Sequence, residues 1–365
     1  MKKHLVVAAG GTGGHIFPGI AVATVLQQSG WTVSWIGTRD RMEADVVPNH
    51  NIEIDFIEVK GVRGNGLKRL ISAPWMVINA IRAATKVLKA RKPAVVLTMG
   101  GYVTGPVGIA AKLLGIPLVI HEQNAVAGFS NRCLSVFATN VMAAFPGAFK
   151  HANVVGNPVR ASVAKLQPKP VTNEIRVLIV GGSLGAQVFN EVLPEAVQAL
   201  RDIGSIAVRH QTGRNNQSAT QARYQQAGCQ DVHVEEFIRD MDNAYAWADI
   251  VICRAGALTV SEVAAAGKLA VFVPFPHAVD DHQTANARFL VDGGAAHLIA
   301  QKDFNKDAIV ALLRPYFAAH EEIFKKAQMA KQLATLDASE RVAQVCEVLT
   351  GECPQKDERV ESDRK

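Results

Sequence analysis

The chain has 365 residues, 48% of them hydrophobic, and a formal net charge of +6. That length points to two domains rather than one, and no apolar run reaches the roughly 18 residues that a membrane-spanning helix needs. The five cysteines (Cys133, Cys229, Cys253, Cys346, Cys353) show no CxxC pairing, which argues for a reducing cytoplasm and against a disulfide frame or cysteine metal site.

The opening VVAAGGTGGHIFPG (6–19) runs an apolar segment into four glycines and His15. The apolar run is too short for a signal peptide and passes straight into the glycines, so 4–9 reads as a first strand. A strand feeding a Gly-rich turn and a helix start presents unpaired N–H groups, an anion site. A Walker loop is excluded because His15-Ile16 follow the last glycine, where Lys and Ser/Thr are required. A dinucleotide fingerprint fits poorly, with Ile16 at its third glycine and VSWIGT ending in Gly37-Thr38 where an acid is expected at the end of the second strand. His15 reads either as a helix-start residue or as a general base, an imidazole near its usual pKa being able to take a proton from a sugar hydroxyl.

Further strands are expected at 32–36, 54–58, 94–98, 117–121 and 139–143, then at 175–180, 205–210, 231–235, 249–253, 269–273 and 296–299. Alternation with helix-like segments predicts an α/β protein with two Rossmann-like, doubly wound parallel-sheet domains facing a central cleft. The halves rhyme: RVLIVGGSLGAQVFN (176–190) repeats the opening, and DIVICRAGALTVSE (249–262) repeats VVLTMGGYVTGP (95–106). Ligands in such sheets bind beyond the carboxyl ends of the strands, where these turns fall. The domains are expected at 1–160 and 161–352, with a proline-bearing linker at about 156–174 and a charged, disordered tail at 353–365.

Charge is uneven. Residues 1–156 carry 16 Lys/Arg against 7 Asp/Glu, the remainder 23 against 26, and 60–92 hold nine basic residues and no acid. Within 68–92 the apolar Leu70, Ile71, Trp75, Met76, Ile78 and Ile81 alternate with Arg69, Arg82, Lys86, Lys89 and Arg91, and Leu70, Trp75, Ile78, Arg82, Lys86 and Lys89 are the membrane-facing candidates. Such a segment is either a solvated helix over the core or a face for an anionic bilayer. It lacks the clustered aromatics and arginines of a nucleic-acid platform, so no nucleic acid is expected.

Several clusters carry chemistry. GGSLGAQ (181–187) is a second anion cradle, with Ser183 able to donate to a phosphate. In CRAGALTVSE, Thr259 and Glu262 form either a capping box or, through Glu262, a bidentate acceptor for the two hydroxyls of a ribose. HEQNAVAGFSNR (121–132) is a polar run directly after a strand. In PFPHAVDDHQTANA (274–287), Gln283 and Asn286 are candidate amide donors to a sugar, and Asp280 and Asp281 are helix-start residues rather than metal ligands.

Together GGTGGH (10–15), GGYVTGP (100–106), HEQNAVAG (121–128), GNPVR (156–160), GGSLGA (181–186), CRAGALTVSE (253–262) and DHQTANA (281–287) resemble the MurG-type bacterial glycosyltransferases. The resemblance implies a GT-B fold and inverting transfer of N-acetylglucosamine from UDP-N-acetylglucosamine to the 4-hydroxyl of MurNAc in undecaprenyl-pyrophosphoryl-MurNAc-pentapeptide (lipid I to lipid II, in peptidoglycan biosynthesis). It implies donor contacts at Thr12, Gly13, Gly14, Asn124, Arg160, Ser183, Ile238, Gln283 and Ala257, Leu258, Thr259, Val260, Ser261 and Glu262, with His15 as base. Arg254, Gln187 and Asn286 are secondary candidates. No cofactor or metal is required by the sequence, although a metal requirement is not excluded. The expected partners are UDP-N-acetylglucosamine, the lipid I acceptor and the anionic cytoplasmic surface of the inner membrane, held peripherally. One departure stands at His282, before Gln283, where some members of the family carry a second glutamine. Rival readings are a diacylglycerol glycosyltransferase, a sugar-nucleotide 2-epimerase and a binding module without turnover.

Overall fold

The computed structural model describes residues 3–59, 66–182 and 184–351, without the side chains of 66–73 and 279. These residues divide into two compact units. The first gathers the chain up to Gln123, Ala127–Pro158 and the described residues from Asp337 onward; the second gathers Asn124–Val126 and Val159–Leu336.

The first unit runs β1 (His4–Ala9), α1 (Gly13–Gln28), β2 (Thr32–Gly37), α2 (Met42–Val46), β3 (Glu53–Phe56), α3 (Gly66–Arg91), β4 (Val95–Gly100), α4 (Thr104–Leu113), β5 (Leu118–Glu122), α5 (Phe129–Ser135), β6 (Asn140–Ala143) and β7 (Asn153–Val154). Its strands form one parallel sheet in the order β3-β2-β1-β4-β5-β6-β7. The central strands are continuous apolar runs because helices cover both faces, and every side chain of β1 and β4 is buried. Trp35 locks the β1 end: its indole N–H donates to the Ala9 carbonyl at 2.8 Å, and its ring lies so close to α1 that a Cβ on Gly19 would meet it at 2.7 Å.

The second unit runs α6 (Ala161–Ala164), β8 (Ile175–Val180), α7 (Gln187–Arg201), β9 (Ile206–Gln211), α8 (Gln217–Gln226), β10 (His233–Glu235), α9 (Met241–Trp247), β11 (Ile250–Cys253), α10 (Ala257–Ala266), β12 (Leu269–Phe272), α11 (His282–Asp292), β13 (Ala296–Leu298), α12 (Lys306–Ala318) and α13 (His320–Leu333). The sheet is parallel, in the order β10-β9-β8-β11-β12-β13. All twelve expected strands form, each bound shifted by no more than two residues, and the two-residue β7 is additional. In both sheets the winding reverses, between β1 and β4 and between β8 and β11, which opens the crevice where doubly wound sheets bind ligands. The glycine turns at 10–14, 100–106 and 253–257, and Gly181, Gly182 and Gly185, lie at these strand ends.

The expected second domain, 161–352, does not hold together as one body. Helix α14 (Ala338–Val348) packs on α1, burying Val342, Ala343 and Cys346 with Val22, Ala23 and Leu26 in the first unit's core. The expected linker is also structured in part: Val159 and Val163 are buried, and α6 packs on α10 within the second unit. The tail at 353–365 lies outside the described residues.

Candidate active site

In the first unit the β1–α1 turn is only partly the open anion cradle that its glycines suggest. Glu43, fully buried, accepts from Gly11 N–H at 3.0 Å through one oxygen, and from Thr38 N–H at 3.0 Å and the Thr38 hydroxyl at 2.7 Å through the other. A carboxylate of the protein thus occupies one loop donor, so the donors facing outward are those of the first turn of α1, which begins at Gly13 and Gly14. Thr12 is the exposed N-cap residue, and its side chain makes no capping bond.

His15, half-buried in that first turn, points its Nδ1 at Gln123 Oε1, 2.8 Å away. It does not cap the helix. Gly100 forms the wall beside it: φ is +112°, and a Cβ there would lie 2.4 Å from His15 Nδ1. Gly101 (φ +92°) lets β4 approach the turn, since its Cβ would lie 2.2 Å from the Gly10 carbonyl oxygen. Beyond Gln123, the 121–128 run is not a solvated loop. His121, Glu122 and Gln123 are buried, and Glu122 accepts from Gly128 N–H at 3.0 Å and the Asn131 amide at 2.9 Å. Burial pushes the His121 imidazole down to about 4, against the weaker opposite pulls of its bond to Gly156 and the Glu122 charge.

In the second unit the centre is an ion cluster. Arg160 donates through Nε (3.1 Å) and Nη2 (3.0 Å) to Glu262 Oε1, and its Nη1 lies 2.7 Å from Asp242. Tyr245, buried, donates its hydroxyl to the other Glu262 oxygen at 3.3 Å. Burial alone would lower the Arg160 guanidinium, but the charges of Glu262 and Asp242 outweigh it and raise it. Burial pushes the Glu262 carboxyl up, and Arg160 draws it back only in part. The capping-box alternative is excluded: α10 is N-capped by Gly256, Thr259 lies inside the helix, and Glu262 is engaged by Arg160.

Around this cluster, Ala257 and Val260 are buried and turn their side chains into the unit, so only their backbone is available to a ligand. Leu258, Thr259 and Ser261 are half-buried, and the Ser261 hydroxyl donates to the Ala257 carbonyl at 3.0 Å. Ile238 is buried, and no described residue bonds its backbone N–H or carbonyl. Gln283 accepts through Oε1 from Phe275 N–H (2.9 Å) and Ala255 N–H (3.3 Å), which turns its amide N–H groups away from that anchor. Glycine is required at 185 (φ +77°), where a Cβ would lie 2.0 Å from the Thr212 carbonyl oxygen. Ser183 lies outside the described residues.

The secondary candidates fare differently. Asn286 is fully buried; its amide donates to Asn124 Oδ1 and the Ala255 carbonyl, both at 3.2 Å, and its oxygen accepts from Ala125 N–H at 2.8 Å. It has no donor left for a sugar, which corrects that expectation; it holds Asn124 and Ala125 instead. Arg254 spends its guanidinium on the Val273 and Pro274 carbonyls and on Gln301, sandwiched by Phe189 and Phe275. Gln187, exposed at the start of α7, donates to Glu191 one turn on. Asp281 accepts from the Thr284 hydroxyl at 2.7 Å at the start of α11. Among the described residues no group of three or more His, Cys, Asp or Glu is placed to hold a metal ion.

On α3, Trp75, Ile78, Arg82, Lys86 and Lys89 are all exposed, at the i, i+3, i+7 spacing of one helix face, while Ala80, Ala84 and Leu88 are buried on the other. The Leu70 side chain lies outside the described residues. Sequence reading missed Glu43, Asp242 and Tyr245, which have no local pattern, and did not separate His121 and Gln123 from their polar neighbours.

The glycosyltransferase family 28 N-terminal domain matches residues 5–143, and its C-terminal domain matches residues 176–342. The chain is 62% identical, over 96% of its length and 99% of the relative's, to the UDP-N-acetylglucosamine–N-acetylmuramyl-(pentapeptide) pyrophosphoryl-undecaprenol N-acetylglucosamine transferase of Pseudoalteromonas translucida. The protein of the same name from Aeromonas hydrophila is 53% identical, over 96% of this chain and 98% of its own. Among solved structures, Acinetobacter baumannii MurG superposes with a TM-score of 0.81 at 43% identity, covering 95% of this chain and 99% of that one. A UDP-GlcNAc 2-epimerase from Neisseria meningitidis, 17% identical with a TM-score of 0.67 over 93% of this chain and 98% of that one, shares the fold alone. With two parallel-sheet α/β units and both family domains in order, the chain has the GT-B fold and belongs to glycosyltransferase family 28, in its MurG branch.

Proposed function

We propose that this chain transfers N-acetylglucosamine from UDP-N-acetylglucosamine to the 4-hydroxyl of MurNAc on undecaprenyl-pyrophosphoryl-MurNAc-pentapeptide, converting lipid I to lipid II in peptidoglycan synthesis. The observation that carries the reading is the 62% identity, over 96% of the chain, to a transferase named for that reaction. The glycine turns at both sheet reversals support it.

The acceptor oxygen attacks the anomeric carbon, the new C–O bond forms as the bond to the diphosphate oxygen breaks, and UDP leaves. Displacement at an α-linked donor gives a β linkage. His15 takes the hydroxyl proton. In the second unit Glu262 accepts from the ribose hydroxyls, the Ile238 backbone pairs with the uracil, and the Gln283 amide donates to the sugar. Arg160 and the helix starts of α7 and α10 meet the developing diphosphate charge. Thr12, Gly13, Gly14, Asn124, Ser183 and the run 257–261 complete the donor contacts, and no metal is called on for charge stabilisation.

Arg160 is satisfied by two carboxylates before any ligand arrives. Donor binding therefore exchanges one Arg160–Glu262 contact for a guanidinium–phosphate contact, and frees Glu262 for the diol.

The basic and apolar stripe of α3 docks the protein peripherally on the anionic cytoplasmic face of the inner membrane. Trp75, 67% exposed, is its apolar anchor, and Arg82, Lys86 and Lys89 supply the charge. Among the described residues no helix is long and apolar enough to cross a membrane.

The test is UDP release from UDP-N-acetylglucosamine with and without a short-chain lipid-pyrophosphoryl MurNAc-pentapeptide, in the wild type and His15→Ala. Acceptor-dependent release that collapses in the variant is expected. Release that survives the substitution removes the base assignment; donor binding without acceptor-dependent release removes the transferase.

A further inference from the structure

Two buried side chains of the first unit, His121 and Gln123, connect to His15 in a chain whose hydrogen positions are forced link by link. The Gln123 amide nitrogen lies 3.0 Å from the main-chain carbonyl of His121. A carbonyl only accepts, so that end of the amide is the NH2 group and the opposite end is the oxygen. The oxygen faces His15 Nδ1 at 2.8 Å and also only accepts, so Nδ1 carries the hydrogen. A neutral imidazole has one N–H, and the lone pair of His15 is left on Nε2.

A second, independent route reaches the same assignment. His121 Nε2 lies 2.9 Å from the Gly156 carbonyl, so it donates, and His121 Nδ1 keeps its lone pair. That lone pair accepts the other N–H of the Gln123 amide at 3.0 Å. Every donor has one acceptor, and reversing the amide would break both of its bonds to His121, setting the amide oxygen against a carbonyl and a ring lone pair. Protonating His121 would set an N–H against an N–H. Complete burial opposes this and holds the ring neutral down to about pH 4. Gly100 packs against the Nδ1 edge of the His15 ring, where a Cβ would lie 2.4 Å from Nδ1.

We propose that Gln123 is a positioning residue that locks His15 in the Nδ1–H tautomer and makes Nε2 its basic atom. The catalytic consequence rests on the reading of His15 as the base; the tautomer itself does not. In free histidine the Nε2–H form predominates, so the lock selects the less populated tautomer.

The experiment is a long-range 1H–15N correlation spectrum of the full-length protein with 15N-labelled histidine at neutral pH, the His15 signals being assigned by their loss in His15→Gln. A pyrrole-like Nδ1 and a pyridine-like Nε2 are expected. The opposite pattern in the wild type overturns the proposal, whatever any variant does. In Gln123→Met, which keeps length and removes the acceptor, the His15 signals are expected to move towards the Nε2–H form. There kcat should fall by about tenfold or more, part of the usual contribution of a general base, while KM for the donor stays within about twofold. A fall in kcat with His15 signals unmoved overturns the positioning role. A moved tautomer with kcat unchanged leaves the lock standing and removes His15 as the base.

Discussion

Replacing Glu262 by Gln separates the two demands placed on that carboxylate. In the free protein one oxygen accepts from Arg160 and the other from the Tyr245 hydroxyl. A glutamine can keep its oxygen towards Arg160 and turn its NH2 towards the tyrosine oxygen, which also accepts. Arg160 retains Asp242 at 2.7 Å, and its side chain is 34% exposed. The loss of folding stability is therefore about 1 kcal/mol, well short of the cost of orphaning a buried charge. Donor binding should suffer more. A carboxylate that accepts both ribose hydroxyls becomes an amide with one acceptor, and a hydrogen bond to a charged group is worth about 1.5–3 kcal/mol. That is roughly a 10- to 150-fold rise in Kd. The assay is calorimetric titration with UDP-N-acetylglucosamine and its 2′-deoxyribose analogue, on wild type and variant. The analogue should cost the wild type a similar amount and cost the variant little more, because the partner is already gone. If the two losses add to within about 0.5 kcal/mol, Glu262 and the 2′-hydroxyl are not partners, and the ribose assignment is wrong.

Reversing Arg82, Lys86 and Lys89 together to Glu should weaken sedimentation with anionic vesicles by about 100-fold or more, at roughly 1 kcal/mol for each basic residue lost, while turnover of a soluble short-chain acceptor persists. Unchanged vesicle binding would remove α3 from the membrane surface. Lys331 donates to the Ala164 and Leu166 carbonyls at 2.7 Å and to Ala265 at 2.5 Å, tying the ends of α6 and α10 together. Lys331→Met should cost about 2–4 kcal/mol by urea denaturation, several charged hydrogen bonds being lost at a part-buried site, and an unchanged midpoint would refute the clamp. His121 in the first unit and His210 in the second are held neutral by burial, at about 4 and about 3. The unfolded chain binds their protons first, so this stability is complete above about pH 6.5 and is lost as pH falls towards the folded values. From pH 6.5 downward each histidine should remove about 1.4 kcal/mol per pH unit from its own unit. A flat profile between pH 6.5 and 5.5 would contradict their neutrality.

The strands and the doubly wound parallel plan were legible because parallel sheets covered on both faces leave short apolar runs that end in glycine turns. What escaped was long-range. Glu43 reaches Gly11 from across a strand and a helix, and no spacing rule links them. Asn286 and Gln283 share a helix and both carry amides, yet one is fully spent inside the unit and the other keeps its N–H groups. Only packing distinguishes them. Thr259 and Glu262 have the spacing of a capping box, but the helix starts three residues before Thr259 reaches its place, at a glycine cap. The polar run 121–123 drew attention for its composition, while its meaning lies in which atom faces which.

Helix α14 has a consequence for how the molecule is made. Because 338–348 completes the core beneath α1, the second unit is inserted into the first rather than appended to it. During synthesis the inserted unit has its whole sequence before α14 emerges, and it can fold while the earlier-made first unit waits with the Val22–Leu26 side of α1 uncovered. A fragment ending near residue 336 would keep the glycine turn and His15 but leave that apolar side bare, and would aggregate. A viable single-unit fragment must instead delete the insertion and splice α14 back on.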